Sequence, residues 1–152
     1  MVIIACNTSS SLALDSLKKA FSLPIMGVIE SGVRKALESS TNNKIAVIGT
    51  RSTISSRSYE KAIRKINKTI KIYAQSCPLF VPLAEESLLR GAIAKTAIEM
   101  YLRKIKQAKP GVLILGCTHY PLLKRQIAKY LKGAYIVAVS YTHLTLPTIY
   151  SV

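Results

Sequence analysis

The strongest constraint on this chain is a rhythm, in which short apolar runs alternate with amphipathic ones along most of its length. It opens with "VIIA" at 2 to 5, a helical "SLALDSLKKAF", the run "PIMGVI" at 24 to 29 and a helical "ESGVRKALES". It continues through "KIAVIG" at 44 to 49, a helix carrying Tyr59, Ala62, Ile63, Ile66 and Ile70, and the strand "IKIYA". A Pro-punctuated loop, "CPLFVPL", leads to a long helix from about Glu85 to the residues before Pro110, with Leu89, Ala92, Ile93, Thr96, Met100 and Tyr101 at helical spacing. "GVLILG", the helix "PLLKRQIAKYL" opened by Pro121, the stop at Gly133 and the strand "AYIVAV" complete the series. Strand-length apolar runs separated by helices predict an α/β fold, a parallel sheet flanked by helices.

Bulk properties narrow the setting. The 152 residues, 49% of them apolar, are enough for the core of one ordinary domain. No apolar stretch reaches the roughly 18 residues of a membrane span, and the first residues lack the pattern of a signal peptide. The expectation is a soluble, cytoplasmic protein with no membrane partner. Three cysteines, Cys6, Cys77 and Cys117, are an odd count without C-x-x-C spacing, so reduced thiols are expected, with neither a disulfide framework nor a metal site. A net charge of +15 makes both nucleic acid and anionic small molecules possible partners. Arg57, Arg64, Lys65, Lys68, Lys71 and the group Lys124, Arg125 and Lys129 would carry a nucleic-acid face. No aromatic-rich binding strand or known motif accompanies them, so a solvated surface is the plainer reading.

Ligands of parallel α/β sheets bind at the carboxyl ends of strands, and two such ends here carry a thiol: "IIACNT" and "LILGCTH". A thiol facing a helix N-terminus has its thiolate favoured by the helix dipole. A lone strand-end cysteine is ordinarily a small core residue, but two in matching contexts read as half-sites facing one ligand. Asn7, Thr8 and Thr118 add hydrogen-bonding groups, and free N–H groups at the helix starts suit a carboxylate, hence a small acidic substrate. Simple N-capping explains the same residues equally well. His119 stands two residues after Cys117, where an imidazole exchanges protons with a thiol or is merely solvated. Glu85 and Glu86 fall at the expected start of the long helix, where the dipole favours a carboxylate whatever its role. Cys77, before Pro78, reads as structural, and Cys117 with His119 alone is too small a set for a metal.

The stretches "ACNTSS", "VIGTRSTISSRSYEKAI", "CPLFVPLAEE" and "GCTHYPLL" resemble the glutamate racemase family, within the aspartate/glutamate racemase superfamily, from Met1 to about Val139. The resemblance implies a cofactor-independent racemase that interconverts L- and D-glutamate for peptidoglycan and pairs as a homodimer when complete. It makes Cys6 and Cys117 the acid/base thiols, Asn7, Thr8 and Thr118 substrate-binding groups, His119 the assistant of Cys117, and Glu85 the acidic residue near the second cysteine. Thr50, in "IGT", matches a family motif to which no role is attached. Racemases of aspartate or another amino acid share the paired cysteines and are the alternative. Two thiols also make chemical sense, because inverting Cα removes a proton from one face and delivers one to the other.

The family's opening "DSG" strand and its Pro-Tyr-Gly turn have no counterpart here. The chain is therefore expected to be a truncated racemase, inactive by itself, with residues 1–29 the remnant of a first α/β domain and 30–139 a nearly whole second one. Residues 140–152, "SYTHLTLPTIYSV" from Ser140 onward, carry no charge and no period, and resemble the translated read-through of an adapter. They are expected to be a non-native tail, the other reading being a natural edge strand.

Overall fold

The six apolar runs form six strands in the computed structural model, which describes residues 1–139. β1 (Val2–Ile4) is followed by α1 (Asn7–Leu12) and α2 (Leu14–Ala20), then β2 (Ile25–Gly27), α3 (Ile29–Ser39) and β3 (Lys44–Gly49). Next come α4 (Arg51–Ser55), α5 (Ser58–Ile66), β4 (Lys71–Ser76), α6 (Phe80–Glu85) and α7 (Gly91–Ala108). β5 (Val112–Gly116), a 3-10 turn (Tyr120–Leu123), α8 (Lys124–Leu131) and β6 (Tyr135–Ala138) end the described series. The expected tail at 140–152 lies outside the described residues.

Every pairing is parallel, and the strands divide between two sheets. β1 pairs with β2 in one, and the other runs β4-β3-β5-β6. The central strands β3 and β5 of the larger sheet are buried on both faces, which is why they read as unbroken apolar runs instead of alternating ones. Ile45, Val47, Val112, Ile114 and Val137 point to one side, where Val33 and Ala36 of α3 and Tyr59 and Ile63 of α5 close the core. Ala46, Ile48, Leu113, Leu115 and Ile136 point to the other, against α6, α7, the 3-10 turn and α8.

The order β4-β3-β5-β6 places a topological switch point between β3 and β5. The chain leaves β3 toward β4 through helices on one face, and it leaves β5 toward β6 through α8 on the other. The crevice outside their carboxyl ends is where such sheets take ligands. Gly49 and Gly116 pair there in register. A Cβ on Gly116 would stand 2.9 Å from the Ile48 carbonyl and 3.1 Å from the Tyr59 ring, so glycine is needed for this close approach. At the opposite end, Asn42 clasps β3 to β5. Its Nδ2 donates to the Lys109 carbonyl at 3.0 Å, and its Oδ1 accepts from Gly111 N at 2.9 Å and Lys44 N at 3.2 Å.

Four local expectations are corrected. The long helix begins at Gly91, not near Glu85, and the Pro-punctuated stretch forms the short helix α6. Pro82 is tolerated as its third residue, where a backbone N–H has no intrahelical partner to lose. Glu85 therefore ends a helix instead of starting one. The face α7 buries is Ala94, Ala97, Ile98, Leu102 and Ile105, while Ala92, Ile93, Thr96 and Met100 are exposed. Alanines at 94 and 97 let the helix axis approach the sheet, leaving the bulkier stripe outside to line a groove with Leu79 and Leu88. α5 ends at Ile66, and buried Ile70 lies between it and β4. The strand expected at 24 to 29 narrows to Ile25–Gly27, because Ile29 already opens α3. Among the described residues no helix is long and apolar enough to cross a membrane.

Candidate functional site at two cysteine junctions

Cys6 is the N-cap of α1, with extended backbone (φ −75°, ψ 124°), and its carbonyl accepts the helix-closing hydrogen bond from Ser10 N at 2.8 Å. The side chain is exposed. What burial it has pushes the thiol up, but hydrogen bonds from the backbone and hydroxyls of Ser9 and Thr8 outweigh this and leave it below the ordinary thiol value. Helix-start donors favour the thiolate there.

Cys117 follows β5 directly and is 7% exposed. Burial holds its thiol above the ordinary value, and the nearby Cys6 charge adds to the rise, although the His119 and Tyr120 backbones and the Thr118 hydroxyl oppose it. The two thiols are thus biased in opposite directions, and Cys117 feels the charge of Cys6. The expectation that helix dipoles favour both thiolates is corrected for Cys117. The element after it is a 3-10 turn reached only at Tyr120, and the strand-end burial of the sulfur prevails.

Behind Cys117 stands a short polar chain. His119 Nδ1 lies 3.9 Å from Cys117 Sγ and 3.4 Å from Thr118 Oγ1. His119 Nε2 lies 3.4 Å from Glu85 Oε1. Both the imidazole and the carboxylate are partly exposed, so the pair is worth about 0–1 kcal/mol in stability and serves chiefly to orient the ring. Glu85 makes this contact, whereas Glu86 caps α6 and lines the apolar groove. Tyr120 supports the arrangement from below. Its hydroxyl donates to the Cys77 carbonyl at 2.7 Å and its ring meets Phe80 edge-on, joining the Cys117 turn to the start of α6. Cys77 itself is fully buried, its thiol pushed up by desolvation.

The Cys6 side is tied to the larger sheet by hydroxyls. Thr8 Oγ1 lies 3.0 Å from Thr50 Oγ1 and 3.2 Å from Thr53 Oγ1, and Thr50 and Thr53 are 3.0 Å apart. Thr50 also N-caps α4, accepting from Thr53 N. Asn7 is 1% exposed. Its Oδ1 accepts from the Tyr59 hydroxyl, while its Nδ2 is buried without a partner among the described residues. An orphaned buried amide donor is costly unless something arrives to accept from it.

The structure thus brings Cys6, Asn7, Thr8, Cys117, Thr118, His119 and Glu85 to the same ends of their strands. Thr53 and Tyr59 belong with them and were not legible as site residues. The Thr50-x-x-Thr53 spacing was the one available signal, since it fits a cap. Tyr59 read only as an apolar helix position. Among the described residues no three His, Cys, Asp or Glu side chains gather closely enough to hold a metal ion.

Known proteins share the fold. Residues 1–142 match the family described as Asp/Glu/Hydantoin racemase. A glutamate racemase of Aquifex aeolicus is 47% identical over 137 residues, which are 90% of this chain and 53% of that protein. The crystal structure of a glutamate racemase isoform from Bacillus anthracis superposes with a TM-score of 0.86 at 36% identity, over 91% of this chain and 52% of the other. That of a Francisella tularensis glutamate racemase in complex with D-glutamate gives 0.83 at 37% identity, over 91% and 51%. The chain spans about half the length of the curated relatives it matches.

Proposed function

Since this chain belongs to the Asp/Glu/Hydantoin racemase family, we propose that it is the cysteine-bearing half of a glutamate racemase working by a two-thiol acid/base reaction. The observation that carries the reading is the opposed bias of the two thiols: Cys6 exposed and lowered, Cys117 buried and raised. One thiol biased toward the thiolate and one biased toward the protonated form suit a single inversion. The Cys6 thiolate takes the Cα proton from one face, and the Cys117 thiol delivers its proton to the opposite face. The products are the inverted amino acid, a Cys6 thiol and a Cys117 thiolate, and the reverse reaction uses that second state. His119, oriented by Glu85, passes a proton to Cys117 to reset it, and the exposed Cys6 thiol releases its proton to solvent. Asn7 Nδ2, Thr8 and Thr118 hold the substrate by hydrogen bonds, and the buried surroundings strengthen those bonds as negative charge develops on the substrate.

The reading includes no pyridoxal phosphate, a supply of D-glutamate to peptidoglycan, pairing of complete copies, and a cytoplasmic setting suited to three free thiols. It also takes residues 1–29 as part of a first domain and 30–139 as a second, with Ile29 already packed in the second core. The 152 residues alone are expected to show no measurable turnover, so the test uses them within a polypeptide of the relatives' full length. In D2O, without pyridoxal phosphate, glutamate should gain deuterium at Cα as it racemises. Cys6→Ser and Cys117→Ser should each abolish racemisation, while Cys77→Ser should leave it nearly intact. Turnover that survives either of the first two changes, or that needs pyridoxal phosphate, refutes the proposal.

A further inference from the structure

Tyr59 touches the neighbours of both cysteines. Its hydroxyl donates to Oδ1 of Asn7, the residue after Cys6. Its ring lies against Gly116, the residue before Cys117, so closely that a Cβ there would stand 3.1 Å from Cε2. The side chain is 2% exposed and sits in the core between α5 and the larger sheet. Its own position is well held. Arg57 turns the chain in the left-handed region (φ 55°) to start α5, and Ser58 Oγ donates to the Ser11 carbonyl of α1 at 3.2 Å. Ile63, one turn on, is fully buried.

Resting on the racemase reading, we infer that Tyr59 is a positioning residue, a strut that sets the separation of the Cys6 and Cys117 junctions and fixes which way the Asn7 amide faces. An amide whose oxygen is held cannot turn over, so Asn7 Nδ2 stays committed to the direction in which it has no partner among the described residues. Burial, with the Cys117 charge adding to it, keeps the phenol protonated, so the hydroxyl remains a donor throughout the range in which the thiols titrate. The glycine at 116 is the complement of the strut, since any larger residue would push the ring away from the strand end.

Two readouts that need no catalysis test this on the 152-residue chain. In Tyr59→Phe the ring remains and only the hydroxyl is lost. The Asn7 side-chain amide pair in a 15N spectrum, assigned through its loss in Asn7→Asp, should shift and lose its protection from exchange. In Tyr59→Leu the ring is lost too, and a short bifunctional thiol reagent should bridge Cys6 and Cys117 at least roughly fivefold more slowly than in the parent, relative to single alkylation of Cys6. Unchanged amide signals in the first variant, or an unchanged bridging ratio in a folded second variant, overturn the inference.

A third readout uses the full-length racemase. Tyr59→Phe should raise KM for glutamate roughly fivefold to tenfold, the worth of one buried hydrogen bond, with a smaller change in kcat. In an Asn7→Ala background the same change should add less than about twofold, because the hydroxyl acts through that amide. Additive losses overturn the inference while leaving the racemase reading standing. Absence of turnover in the parent removes the racemase reading, and the amide and bridging results still decide the strut.

Discussion

Gly32→Ala sets two opposite effects against each other inside one buried helix. Gly32 lies in α3, and replacing a helix-interior glycine by alanine ordinarily stabilises by about 1 kcal/mol. Here the added Cβ would stand 2.6 Å from Cγ2 and 2.9 Å from Cγ1 of Val139, and 3.3 Å from its Cβ. Val139 is fully buried and its branched side chain is stiff at χ1, so its methyls have little freedom to move aside. Overpacking of this kind costs about 1–3 kcal/mol, and the contacts fall at the severe end. The net expectation is a loss of about 1–2 kcal/mol, a drop in Tm of roughly 3–8 °C. Urea denaturation followed by far-UV circular dichroism measures it, with an unchanged m-value showing that the denatured state is the same. In a Val139→Ala background the two methyl clashes disappear and only the 3.3 Å approach to Cβ remains, so Gly32→Ala should become near neutral or stabilising by up to about 1 kcal/mol. A single Gly32→Ala variant more stable than the parent would refute the packing argument, as would equal effects in both backgrounds.

Two further outcomes are expected. Timed alkylation with iodoacetamide, mapped by mass spectrometry, should modify Cys6 first, Cys117 later and Cys77 last, with the Cys6 rate rising at a pH below the ordinary thiol value of about 8.5 and the Cys117 rate above it; the reverse order would contradict the site geometry. Tyr120→Phe removes the hydroxyl from the Cys77 carbonyl, which keeps its bond from Phe80 N, so the loss should be about 1 kcal/mol in chemical denaturation, and no loss would show that the latch is idle.

What was legible in the sequence follows the physics of burial. Ile45 to Ile48 and Val112 to Leu115 are apolar on both faces, and only a covered parallel strand uses such a run, so β3 and β5 could be read directly. The buried face of α7 could not. Its sequence carries two apolar stripes at helical spacing, and the one that packs is decided by the small Ala94 and Ala97, a matter of how near the sheet lies. Cys6, Cys117 and His119 were visible because they sit in local motifs next to strand ends, and Glu85 because it closes the Pro-punctuated motif that follows β4. Thr53 and Tyr59 were not, because their hydroxyls find partners at Thr8 and Asn7, 45 and 52 residues away, and periodicity reports only that a position is buried.

The three threonine hydroxyls that join α1 to α4 have a consequence in proton counting. Three sides of a triangle need three protons, and three hydroxyls own three, so the ring is closed only while Thr8 keeps its proton inside, and turning that proton to the Cys6 sulfur opens one side. Each oxygen also accepts once within the ring, and Thr50 accepts again from Thr53 N, which fills it. One lone pair remains on Thr8 and one on Thr53. A visiting donor, such as an ammonium group, can therefore bind to the intact ring, whereas a visiting acceptor, such as a carboxylate oxygen, must first break one side and leave a former partner unserved. The triangle therefore distinguishes a visiting donor from a visiting acceptor by hydrogen-bond polarity alone.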